Sequence, residues 1–223
     1  MGSHDLIIMC AITKDDQDFS SIALQTLAQT AMHTHGLLII GVDEFVALPL
    51  AESEYVHIIR HPQIQNRYQV LNLLFDNMEA QELQNSVWAI ADTSAVNDEL
   101  DIGGVRDAIH MVKTGIMDVA CANQRLFYYD RPNLKGSAPL LRFSGAVQSV
   151  KFAFGGFAIY NPRILKDVRF RTGSMYDFNN DISGAGARFS VVPWMVNSGH
   201  DKFYLATVIV LLLTFAVLFV CLT

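Results

Sequence analysis

Four short runs of strand length, three of them almost wholly apolar, alternate with helical patterns through the front half of the chain. Asp5–Thr13 (DLIIMCAIT) is the first. GLLIIGVD opens at Gly36 and ends at Asp43, EYVHIIRH runs from Glu54 to His61 and stops at Pro62, and VWAIA spans Val87–Ala91. A run that is apolar at every position has no polar face to offer water. Such strands belong to a sheet covered on both sides. Ser20 and Ser21 can cap a helix through Ala31, with Ile22, Leu24, Leu27 and Ala28 on its apolar face. Tyr68, Leu71, Leu74, Phe75 and Met78 fall at helical spacing across Arg67–Leu83. This alternation predicts an α/β domain with a mostly parallel sheet. Ligands of such sheets bind beyond the carboxyl ends of the strands. Thr13–Asp16, Asp43–Glu44 and Asp92–Ser94 would therefore surround one crevice.

The back half has another texture. A helix is expected through Val105–Lys113, followed by MDVACANQRLFYYD and a Gly/Pro/Ser-bearing loop over Arg131–Ser144. SVKFAFGGFAIY reads as one strand broken at Gly155-Gly156. Asn161-Pro162 turns the chain into Arg163–Val168. The stretch from Gly173 to Gly186 is rich in Gly, Asn, Asp and Ser and is expected to be largely loop. Val191–Val196 reads as a last short strand.

Phe203–Leu222 contains no charged residue. At 1.5 Å per residue, ~20 residues make a helix about 30 Å long, the thickness of a bilayer's hydrocarbon core. The expected organisation is a domain over 1–200 and a transmembrane helix over 203–222. No basic region followed by an apolar stretch opens the chain, so a signal peptide is not expected. A single-pass C-terminal anchor with a cytosolic domain is. The formal net charge of -6 argues against nucleic acid as a partner, since phosphate binding needs an excess of Lys and Arg. Cys10, Cys121 and Cys221 are far apart and form no metal-binding pair. Cys10 and Cys121, in apolar runs, are expected to be buried thiols.

The segment richest in chemistry is VWAIADTSAVNDELD. An apolar strand runs straight into Asp92, and Asp98, Glu99 and Asp101 follow. A carboxylate at a strand's carboxyl end can hold a divalent cation against a diphosphate. The same residues read equally well as helix caps or loop charges. His33-Thr34-His35 lacks a third ligand, and no nucleophile elbow occurs. Tyr128, Tyr129, Tyr160 and Trp194 are either sugar-stacking aromatics or core.

Three blocks carry a family likeness: IIGVDE, WAIADTSAVNDELDIGGV, and MDVACANQRLFYYD with SVKFAFGGFAIYNPRIL. Together they resemble a GT-A-fold nucleotide-sugar glycosyltransferase, of the compact kind found in fungal mannosyltransferase and capsule-biosynthesis groups and in large DNA viruses. The likeness runs from about Asp5 to Asn197. It implies a Rossmann-like single domain and transfer of a sugar from a nucleotide-sugar to a membrane-associated acceptor, lipid or glycan. By similarity Asp43 contacts the base or ribose, Arg67 helps hold the donor, and Gly155-Gly156 lets a sugar approach the backbone. The family's aspartate-any-aspartate motif binds manganese or magnesium. Here it reads Asp92-Thr93-Ser94, with a hydroxyl in place of the second acid. The family's acidic-His pair after the FGG strand has no histidine here, and Asp181 is the candidate base. These departures leave a second expectation, a membrane-tethered, non-catalytic binding or scaffold protein that retains the fold.

Overall fold

The computed structural model describes residues 4–13, 21–62, 66–80, 85–93, 99–125, 147–150, 156–165, 168–171 and 175–198. The front half forms β1 (Leu6–Ile12), α1 (Ser21–His33), β2 (Leu37–Asp43), β3 (Val56–His61), α2 (Arg67–Ala80) and β4 (Val87–Ala91). Then come β5 (Glu99–Leu100), α3 (Ile102–Lys113), β6 (Val119–Arg125), β7 (Gln148–Val150), β8 (Phe157–Tyr160), α4 (Pro162–Leu165), α5 (Met175–Gly184) and β9 (Phe189–Ser198).

All described strands join one sheet in the order β3-β2-β1-β4-β8-β6-β9-β5, with β7 also on β9. β1 pairs parallel with β2 and β4, β2 with β3, and β6 with β9. β8 lies antiparallel between β4 and β6, and β5 and β7 are antiparallel to β9. The front half is the parallel unit its apolar runs predict. The back half makes the sheet mixed, because β8 enters the middle in reverse.

Alternation along β1 builds two core layers. Leu6, Ile8, Cys10 and Ile12 face α1 and α3, packing with Leu24, Leu27, Val105 and Ile109. Ile7, Met9 and Ala11 face α2 and α5, packing with Leu74, Phe75, Phe178 and Ile182. Gly41 of β2 fits α2 closely: a Cβ there would lie 2.1 Å from Val70 Cγ1. α3 meets β9 in the same way. Between Val192 and Val196, β9 bulges away from the Ala122–Asn123 register. A Cβ on Gly104 would lie 2.5 Å from the backbone of Trp194 and Met195.

Four expectations are corrected. The loop expected over Gly173–Gly186 contains α5. Phe178 stacks on Phe170 at 3.9 Å between centroids, and Ile182 is fully buried, so burial overrides the polar composition. SVKFAFGGFAIY is not one strand. Its β7 part pairs with β9, and its β8 part lies between β4 and β6. β9 is the last described strand, as expected, but it is ten residues long rather than short. Ile22, placed by spacing on the apolar face of α1, is 48% exposed, and Ala23 and Ala31 take the buried positions. Cys10 and Cys121 are buried, as expected. Among the described residues no helix is long and apolar enough to cross a membrane, and the run 203–222 lies outside them.

Candidate functional site

The carboxyl ends of β1, β2 and β4 and the start of β8 come together along one end of the sheet, the crest. Thr13 and Asp43 are buried there. Asp43 Oδ1 accepts from the Phe45 N–H at 3.1 Å, and the Asp43 carbonyl accepts from the Val46 N–H at 3.0 Å. Arg60, reaching over from β3, donates Nη1 to the carbonyls of Glu44 (3.2 Å) and Val46 (3.0 Å). The Glu44 N–H donates to the carbonyl of His61. This turn is fixed from both sides. Its tip carries Phe45, 83% exposed.

Asp92 lies two strands from Asp43, roughly 10 Å away across β1. Its Oδ2 accepts from Arg67 Nη1 at 3.1 Å, and both side chains are partly exposed. Arg67 is the first residue of α2. Asn66 Oδ1 caps that helix, accepting from the N–H groups of Tyr68 and Gln69. The guanidinium also lies over the Tyr68 ring, 5.2 Å from its centroid. Gly156 faces Asp92 across the β4–β8 pair, and its carbonyl accepts the Asp92 N–H at 2.8 Å. Below the crest, burial pushes the Cys10 thiol up to about 12, and the charge of Asp92 adds to the effect.

Asp43, Arg67, Asp92 and Gly156 thus share the crest. Gly155, Ser94, Asp98, Tyr128 and Tyr129 lie outside the described residues. Asp181 stands on α5, whose C-terminus leads into Phe189, opposite Val119 at the other end of the strands. Its carboxylate lies 3.5 Å from Arg171. Asp101 is the N-cap of α3, its Oδ1 accepting from the Gly104 N–H at 2.9 Å. Tyr160 is buried at the far end of β8, so it is core. Trp194 is bound through Nε1 to Asp107 at 2.9 Å. Sequence reasoning missed Phe45 and Arg60. An isolated aromatic after an acidic pair carries no periodic signal.

A divalent cation needs several hard oxygen ligands. The described crest offers the Asp92 carboxylate, already facing a guanidinium, and the Asp43 carboxylate two strands away. Among the described residues no cluster of three or more His, Cys, Asp or Glu is placed to hold a metal. The described residues alone do not make up a cation's donor set.

No family model matches the chain, and no curated protein matches its sequence. Solved structures do. The mannosyltransferase PcManGT from Pyrobaculum calidifontis, determined with GDP-Man and Mn2+, superimposes with a TM-score of 0.54 at 10% identity, over 89% of this chain and 58% of that one. S. aureus TarS 1-349, determined with UDP-GlcNAc, gives a TM-score of 0.58 at 13% identity, over 84% of this chain and 55% of that one. The chain therefore spans little more than half the length of either. At these identities the likeness shows the fold alone, a GT-A-like one.

Proposed function

We propose that this chain is a glycosyltransferase that takes its sugar from a nucleotide-sugar and works on a membrane-associated acceptor. The observation that carries the reading is the convergence of Asp43, Arg67, Asp92 and Gly156 on one crest of this fold. Asp43 Oδ2 has no hydrogen-bond partner among the described residues and is suited to an N–H of a base or a ribose hydroxyl. Arg67 supplies a fixed positive charge where the diphosphate leaving group gathers negative charge. Asp92 orients that guanidinium. Gly156, without a side chain, would let a sugar approach the backbone beside Asp92 closely. The two matched proteins were determined with GDP-Man and UDP-GlcNAc, which supports a donor of this class. The membrane part of the reading rests on the uncharged run 203–222.

A second reading, a non-catalytic nucleotide-binding protein, is favoured by one observation. Asp92 already faces Arg67, and residue 94 is a serine where a second acid would hold a metal. Thermal melts with UDP or GDP, with and without manganese, followed by assays of donor hydrolysis, separate the readings. A rise in Tm with turnover supports the transferase. A rise without turnover supports the binding protein. No rise with either nucleotide overturns both.

A further inference from the structure

The last strand of the domain ends on the same side of the sheet as the candidate site. β9 runs parallel to β6, with Ser198 opposite Arg125, and β4 and β6 both run antiparallel to β8. Ser198 therefore lies at the crest, as Asp43 and Asp92 do. Gly199–Lys202 is all that separates it from the apolar run beginning at Phe203. Fully extended, that link reaches about 18 Å. The seven residues of β1 alone stand about 23 Å tall, so the link cannot carry the run to the opposite end of the sheet.

Phe45 stands toward the other side of the same crest. From β9 to β2 there are five strand spacings, about 24 Å in all. Phe45 is the most exposed large apolar side chain among the described residues, and its turn is held by Asp43 and Arg60. A rigid aromatic held out into solvent gains by entering an apolar phase.

We infer that the crest faces a bilayer. The C-terminal run enters the membrane on the β9 side, and Phe45 meets the lipid interface on the β2 side. The site between them then addresses an acceptor whose reactive end lies at the membrane surface. This inference rests on reading 203–222 as a membrane span.

The test uses the full chain, carrying Cys221→Ser, in phosphatidylcholine vesicles. Cys10 and Cys121 are fully buried and leave the labelling chemistry to an introduced thiol. An environment-sensitive fluorophore is attached at Phe45→Cys or at Ile116→Cys, and nitroxide-bearing lipid is added as quencher. Ile116 is 60% exposed and precedes the start of β6, at the end of the sheet away from the crest. Quenching several-fold stronger at position 45 than at 116 is expected. Equal or stronger quenching at 116, or none at either position in vesicles that carry the protein, overturns the orientation. A chain that does not float with the vesicles overturns the membrane reading itself.

Discussion

The N–H of Asp92 donates to the carbonyl of Gly156 at 2.8 Å. This bond ties the residue just past β4 to the one that opens β8, and it sets the height of the Asp92 carboxylate above the sheet. The carboxylate pairs with Arg67, so the crest presents a partly exposed charge pair on a fixed backbone.

Removing the guanidinium tests that pair. Arg67→Ala is expected to weaken UDP or GDP binding by roughly ten- to hundredfold, the loss of a charge-assisted hydrogen bond. Thermal stability without nucleotide should change little, because a partly exposed ion pair contributes only about 0–1 kcal/mol. Titration calorimetry and melts of the same samples separate the two effects. Unchanged affinity would leave Arg67 a structural partner of Asp92.

Two adjacent glycines in α3 should respond differently to one methyl group. Gly104→Ala drives a Cβ into the β9 backbone and is expected to cost about 1–3 kcal/mol. At Gly103 the new atom meets the Asp101 carboxylate tip at 3.2 Å. That tip can shift slightly, and alanine favours the helix, so Gly103→Ala should be near neutral. Urea unfolding of both variants measures the difference.

Acid should expose the Asp118–Arg188 contact. The side-chain hydrogen bond from Arg188 holds the Asp118 carboxyl below its usual range, with a further bond from the Arg188 N–H, and partial burial opposes them. A lowered native pKa stabilises the fold above the unfolded value of about 3.9 and loses that contribution as pH falls through the native one. The stability gap between the native chain and Asp118→Asn should therefore be constant near neutrality and shrink below about pH 4. A gap that stays constant into acid would contradict the assignment.

Cys10 should resist alkylation in the folded chain. With its thiol pushed up to about 12, its thiolate is scarce at pH values where a free cysteine, near 8.5, reacts readily. Iodoacetamide labelling read by mass spectrometry should mark Cys10 only after unfolding. Because burial outweighs the Asp92 charge, Asp92→Asn should leave it protected.

The strands buried on both faces were legible because such burial leaves an uninterrupted apolar signature. Leu6–Ile12, Leu37–Asp43 and Val87–Ala91 all show it. α5 was hidden by composition, although Phe178 and Ile182 stand four residues apart, the spacing of one helix face. The place of β8 is a matter of long-range order that no local pattern carries. The site followed the same division. Asp43 and Asp92 end apolar runs and could be picked out singly. The bond between Arg67 and Asp92 joins positions 25 residues apart and is visible only once α2 is folded onto the sheet. Asp101 kept two readings until the Gly104 N–H decided for the cap.

The reversed β8 also dictates an order of assembly. β4 is synthesised early, yet its second neighbour arrives only with Phe157–Tyr160. Until then a growing chain holds the β1–β2–β4 unit with one edge of β4 unpaired, the kind of edge on which another chain can template. Closing it joins segments more than sixty residues apart, and that loop-closure entropy slows the step. Nascent chains halted before Phe157 are expected to be the aggregation-prone species of this protein, and the insertion of four residues ends that exposure.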